Sequence, residues 1–392
     1  MTIYNVSNAT QLQAALGKAI GGDRIVLASG NYGSVNITGR NYASTVTIQT
    51  QNFTDRAHLD GLFVDRSSNL TFAGLDVGRA VPVGQTPEWT QLNYVYDSSN
   101  IRMNGVQFHG SVDGTVANDG VGLVVTRVNG FTADYSTFHD LYRGAYVQQS
   151  TNVTIRSNSF DNIRSDGLTF GADRNVVIDG NSFTNFHPVL GDHADGIQFW
   201  NTSQTSGSAN VTIRNNVIAP GQFSGVEGTG VQGIWISDAG PYGYQNFVIQ
   251  NNLIYTHGAW NGIGVSGGSN FQILGNTLLS QSGDNKSVWI RGEDMTSLVI
   301  KDNVAEDIML KNINGLTKAH NIDLSETPAL RGLIPNADHP RTLLDLSVAG
   351  YGYHLPPSSS SAAATTVLGD ASQFFSPQHA SALVFDHFTA LP

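Results

Sequence analysis

Cysteine is absent from the 392 residues, which excludes disulfides and thiolate metal sites and removes any inference about redox compartment. Charge is scarce as well. Charged residues make up 13% of the chain, and 20 bases against 31 acids leave a formal net charge of −11. An acidic surface cannot neutralise phosphates broadly, so a nucleic-acid partner is not expected, and a polyanionic one needs a local basic patch. No stretch is apolar enough for long enough to cross a bilayer, so membrane insertion is not expected either. The opening Met1-Thr-Ile-Tyr-Asn-Val6 has neither the basic segment nor the apolar run of a signal peptide. What the chain does have is 40% hydrophobic residues and 43 glycines. That is too apolar for disorder and too rich in turn formers for a helical protein, which leaves a β-rich class. All-β architectures often exceed two hundred residues as one unit, so length forces no boundary.

One design recurs along the chain. Arg143-Gly-Ala-Tyr-Val147 is followed by Asn152-Val-Thr-Ile-Arg-Ser-Asn158, Asp166-Gly-Leu-Thr-Phe170 by Asn175-Val-Val-Ile-Asp-Gly-Asn181, and Asp195-Gly-Ile-Gln-Phe199 by Asn210-Val-Thr-Ile-Arg-Asn-Asn216. Taking Leu123, Ala145, Leu168, Ile197, Ile234, Ile263 and Val288 as markers gives steps of 22, 23, 29, 37, 29 and 25 residues. Each step holds short runs of alternating apolar residues, which predicts strands separated by turns. A unit this short cannot bury its own apolar face and must stack on its neighbours. The recurring Asn158, Asn181, Asn216, Asn252, Asn276 and Asn303 follow the second strand, where asparagine tolerates a left-handed turn and can bond to the next coil. This column reads as structural.

Asn8 followed by Leu12, Leu16 and Ile20 at helical spacing predicts a helix over 9–20 that caps the open end of the solenoid. The repeat fades beyond Leu310. The expected organisation is a β-helix over 1–310 with its cap, then an irregular segment over 311–392 that packs back on it, with a Ser/Ala-rich linker over 357–366.

Ala9-Thr-Gln-Leu-Gln-Ala-Ala-Leu16, Gly21-Gly-Asp-Arg-Ile-Val-Leu-Ala-Ser-Gly-Asn-Tyr32 and Leu62-Phe-Val-Asp-Arg-Ser-Ser-Asn-Leu-Thr-Phe-Ala-Gly-Leu75 resemble the amino-terminal coils of alginate and chondroitin lyases, and the first 310 residues resemble the right-handed parallel β-helix superfamily of polysaccharide lyases and epimerases. The resemblance implies an all-β fold, a single-stranded right-handed parallel β-helix, and a polysaccharide partner met in an extracellular or secreted setting. The Asp-Pro-His-Glu stretch of the mannuronan epimerases and the paired aspartates and Gly-His-Gly of the polygalacturonases are absent from the sequence.

Period two sends the markers and Val125, Val147, Phe170, Phe199, Ile236, Val265 and Ile290 inward. The outward positions then gather Arg143, Asp166, Asp195 and Lys286 with Tyr146, Gln198, Trp235 and Trp289, and a further column adds Trp200 and Arg291. At about 4.8 Å between coils, Arg143, Asp166 and Asp195 are expected to form one contiguous ladder. Exposed tryptophans on the same face suit sugar rings. The insertion from Asn185 to Asp195 carries His187, Asp192 and His193, and the long steps place loops Asn201–Asn210, Gln222–Gly230 and Asp238–Gln245 around these coils. His193, between Asp192 and Asp195, is a candidate for proton transfer.

Two chemistries fit this set. A lyase or C5-epimerase acting on a uronate-containing polysaccharide removes the C5 proton, which needs a base such as His193 or Tyr146 and a cation for the sugar carboxylate, such as Arg143, Arg164, Lys286 or Arg291. A glycoside hydrolase would divide acid and base or nucleophile roles among Asp166, Asp195 and Asp192. A non-catalytic polysaccharide-binding or tailspike-like body is the third reading. His187, Gln198, Trp200, Trp235 and Trp289 would contact the polymer in each case. The expected cofactor is none or calcium, held by Asp166, Asp192 and Asp195 as hard oxygen donors. Zinc is set aside, because only His187 and His193 cluster in sequence.

Overall fold

Where valine, isoleucine and phenylalanine alternate with polar residues the chain is extended, because branched and aromatic side chains fit a pleated surface with one buried face. A computed structural model describes residues 1–219, 221, 229–280, 284 and 286–328. They fall into two compact units, Met1–Val177 and Ile178–Pro392. No helix among the described residues is long and apolar enough to cross a membrane. The expected linker over 357–366, the segment from 329 onward and most of the Gln222–Gly230 loop lie outside the described residues.

In the first unit each coil contributes three parallel strands. Gly61–Asp65, Tyr94–Tyr96, Val121–Thr126, Arg143–Gln148 and Leu168–Gly171 stack in one column. Ser68–Ala73, Ser99–Asn104, Asn129–Asp134 and Thr151–Arg156 form the second. Asp76–Gly78, Gln107–His109, Thr137–Leu141 and Ser159–Ile163 form the third. Leu123, Ala145 and Leu168 stand level, as do Val125, Val147 and Phe170, and all six are buried as the alternation requires. Phe108, Phe138 and Phe160 stack at 4.9 and 4.7 Å, so identical rings fill the core coil after coil. The N-terminal helix spans Ala9–Lys18, capped by Asn8, whose side chain accepts from the Gln11 amide; it buries Leu12, Ala15 and Leu16. Ile20, expected on its apolar stripe, lies past the helix end and is 68% exposed.

The second unit repeats the plan. Asp195–Trp200, Gln232–Ser237, Asn261–Ser266 and the start of Trp289–Lys301 stack in parallel. Ile197, Ile234 and Ile263 stand level and buried. At the next coil the register shifts between Asn261 and Ile263, so Ile263 meets Ile290 and Asn261 meets Trp289. The marker alignment had set Val288 against Ile263 and Lys286 against Asn261; a bulge, invisible to residue counting, moves both. The strands also run on past Leu310, with Asp307–Ala319 paired along Trp289–Lys301 and Ile322–Asp323 pairing with Val304–Ala305.

The asparagine column is structural in a more specific way than a turn. Asn181, Asn216, Asn252, Asn276 and Asn303 are buried, and each donates its amide nitrogen to the side-chain oxygen of the next at 2.9–3.0 Å, ending on Asn321. The left-handed residue is the one before each: Gly180, Asn215, Asn251, Gly275 and Asp302. Asn152, Asn175, Asn210, Asn246 and Asn270, at the start of the second strand column, do adopt φ of 55–59° themselves.

Candidate functional site

Each unit carries part of the outward ribbon. In the first, Arg143 and Asp166 pair, with Nε to Oδ2 at 2.8 Å, and the Thr169 hydroxyl donates to the same oxygen at 3.1 Å. Asp166 is buried. Burial alone would pull the Arg143 guanidinium down, yet the Asp166 carboxylate outweighs it and holds the cation charged. Removing one member of such a pair costs about 3–5 kcal/mol, because the other charge stays buried. Arg143 lies 5.8 and 5.9 Å from the rings of Tyr142 and Tyr146, and Arg164 stacks 4.9 Å from Tyr142. Burial pushes the Tyr146 phenol up, and its oxygen accepts from the Gln148 amide.

Asp195 belongs to the second unit and stands level with Gln232. It is fully buried, not solvated, and its Oδ2 faces His193 Nδ1 at 3.1 Å and accepts from the Gln198 amide at 3.1 Å. The His193 side chain is 57% exposed, edge-on to Trp235 with ring centres 6.0 Å apart. Asp192 turns one oxygen back on its own loop, accepting from the Val189 amide at 2.9 Å. His187 is exposed on the same insertion.

The bulge creates a chain of hydrogen bonds along this face. Trp289 Nε1, which can only donate, meets Asn261 Oδ1 at 2.7 Å. That orients the Asn261 amide nitrogen toward Gln232 Oε1. The Gln232 nitrogen then meets His193 Nε2 at 2.7 Å, so Nε2 must accept and the ring proton sits on Nδ1, facing Asp195. The tautomer of His193 thus follows from an indole three contacts away.

Aromatic surface borders the chain. Trp200 is exposed and level with Ser237, Trp260 and Trp289 stack with centres 5.9 Å apart at 9°, and Lys286 Nζ lies 3.7 Å from the Trp260 ring centre. Arg291 is level with Gly264 and pairs with Glu293. Gly264 makes room for Trp235, since a Cβ there would come within 2.5 Å of two atoms of its ring. Sequence reasoning gave no role to Gln232, Asn261 or Trp260. The concentration of four of the five tryptophans between residues 200 and 289 was the available signal.

Calcium at Asp166, Asp192 and Asp195 would compete with Arg143, the Val189 amide and His193 for the same oxygens. The one set of three ligand side chains that converge among the described residues is elsewhere, at His58, Asp76 and His109.

Stacked three-strand coils with inward aliphatic columns define a parallel β-helix. The family described as "Right handed beta helix region" matches residues 94–304, and the chain belongs to it. No curated protein matches in sequence. Among solved structures the chain is similar to the Dettilon tailspike protein, with 14% identity and a TM-score of 0.52, covering 78% of this chain and 59% of the tailspike. It thus spans less than two thirds of that protein. It is also similar to PfbA, a surface adhesin of Streptococcus pneumoniae, with 13% identity, a TM-score of 0.51 and coverage of 80% and 86%. An alginate lyase from Paenibacillus sp. is 16% identical over 82% of this chain and 99% of its own, with a TM-score of 0.45. At these identities the likeness establishes the fold alone.

Proposed function

We propose that the protein acts on an acidic, uronate-containing polysaccharide by abstracting the C5 proton, as a lyase or C5-epimerase, with His193 as the base and Asp195 as its orienting carboxylate. The observation that supports this most is the chain from Trp289 through Asn261 and Gln232 to His193. It puts the proton on Nδ1, backed by the buried Asp195 carboxylate, and the lone pair on Nε2, where the Gln232 amide donates until a substrate C–H takes its place. A base must present an unprotonated nitrogen in a fixed direction, and a buried carboxylate on the far side stabilises the imidazolium that forms. Trp200, Trp235 and Trp289 offer flat apolar faces to sugar rings, and a uronate carboxylate would recruit Lys286, which lies over the Trp260 ring, and Arg291, which it would share with Glu293.

A hydrolase needs two carboxyl groups to share acid and base work across one bond. Asp195 is engaged by His193 and Gln198, and Asp166 by Arg143, which favours proton abstraction over that alternative.

The test is incubation with uronate polymers in deuterated water. Ultraviolet absorbance reports the unsaturated product of a lyase, and deuterium at C5 reports an epimerase. Activity of either kind that disappears in His193→Ala supports the reading. New reducing ends without unsaturation or deuterium would replace it with hydrolysis.

A further inference from the structure

His58, Asp76 and His109 lie on the third strand column of the first unit, far in sequence from the ribbon described above. Asp76 stands level with His58 on one side and Gln107 on the other, and His109 is level with Gly78. A Cβ on Gly78 would come 2.1 Å from the His109 carbonyl oxygen and 2.7 Å from its Nδ1, so glycine is what lets the His109 ring fold back over the preceding coil. There its Nε2 reaches Asp76 Oδ1 at 3.2 Å, while His58 Nδ1 reaches Oδ2 at 2.7 Å. The two imidazoles lie 5.8 Å apart, nearly parallel.

The outer ring nitrogens are engaged as well. His58 Nε2 faces Asp60 Oδ1 at 3.2 Å, and His109 Nδ1 faces the Gly110 carbonyl at 2.8 Å. Every ring nitrogen of the pair therefore faces an acceptor, whereas a neutral imidazole carries one proton. With the outer nitrogens protonated, the inner ones turn lone pairs toward a carboxylate. Positive charge is needed between them. A second proton on each ring supplies it. A divalent cation supplies it equally, and the ligand atoms of the three side chains already lie within 4.8 Å of one another. Zinc bonds of about 2.0–2.1 Å place such atoms roughly 3.4 Å apart.

We propose that His58 Nδ1, the Asp76 carboxylate and His109 Nε2 form a binding site for a divalent transition metal ion, zinc in the first instance, with the remaining coordination open to water or a ligand. Two imidazoles and a carboxylate are the donor set of borderline metals, unlike the all-oxygen shells of calcium and magnesium. Asp60 and the Gly110 carbonyl play the part that outer carboxylates and carbonyls play in fixing metal-bound histidines. The Arg56 guanidinium, near enough for the Asp76 charge to act on it, donates to the Gly105 carbonyl at 2.6 Å.

Zinc titration of the chelator-treated full chain by calorimetry, together with cobalt(II) absorption spectra, tests the site. One zinc equivalent is expected, along with visible cobalt bands of a nitrogen- and oxygen-ligated ion. His58→Gln and His109→Gln should each abolish that equivalent, Asp60→Asn should weaken it about 10–100-fold, and His139→Gln should leave it intact. The proposal is overturned if the native chain binds no zinc and gives only the spectrum of hydrated cobalt, a result that needs no variant. It is overturned too if folded His58→Gln and His109→Gln chains retain the full equivalent.

Discussion

Trp289 Nε1 lies 2.7 Å from Asn261 Oδ1, and through Gln232 this single donor fixes which nitrogen of His193 carries the proton. Trp289→Phe removes the donor and frees the Asn261 amide to turn over. Nitrogen chemical shifts of the imidazole should report the Nδ1–H form in the native protein and a mixture in the variant. Turnover should fall about tenfold in Trp289→Phe, against about 10²–10⁴-fold in His193→Ala, because only the latter loses the proton-transfer group itself. An unchanged nitrogen spectrum in Trp289→Phe would show that the tautomer is set elsewhere.

Gly264 and Trp235 occupy one level of adjacent coils, and the ring fills the space a side chain would take. Gly264→Ala should push the Trp235 ring from its place and from its edge contact with His193, while the hydrogen bonds of His193 to Asp195 and Gln232 stay in place. The expected result is a several-fold rise in KM for a polysaccharide with kcat nearly preserved. Loss of kcat at constant KM would mean that Trp235 serves the base rather than the sugar.

Within the buried ladder, Asn252 donates to Asn276 Oδ1 and the Ile213 carbonyl, and accepts from the backbone and side chain of Asn216. Asn252→Ala deprives several buried groups at once, at about 1–3 kcal/mol for each group left unsatisfied. Urea unfolding should show a loss of about 3 kcal/mol or more, whereas Asn246→Ala, in the exposed asparagine row, should cost less than half as much.

The acid limb of stability should run through Asp134. Burial alone would raise its carboxyl, but bonds from Arg102, Asn104 and Arg156 outweigh that and hold it below the usual carboxylate range. The folded value is thus lower than the unfolded one of about 3.9. The stabilisation is complete above that unfolded value and is lost as pH falls through the folded one. Asp134→Asn should lower stability at neutral pH and flatten its decline below about pH 4, as measured by denaturant midpoints across pH. Equal slopes in the two proteins would place the acid limb elsewhere.

The repeat, the inward columns from Leu123 to Ile263 and the capping helix were legible in the sequence, because each follows from local rules. Alternation sorts faces, an asparagine caps a helix, and short units must stack. Residue counting also brought His193 and Asp195 together, since they are two apart on the approach to one strand. It failed where the chain departs from its own period. The bulge at Asn261 sets Trp289 rather than Lys286 against it, and so completes a hydrogen-bond chain that no spacing encodes. Burial was equally out of reach: Asp166 and Asp195 read as outward positions of a ribbon, whereas both are buried. His58, Asp76 and His109 went unnoticed because they stand on successive coils and meet only when those coils stack. The sequence by itself determined the period and the faces, since these depend on nearest neighbours along the chain. Tertiary structure decided which side chains on those faces meet and which are dry, because both depend on the register between coils.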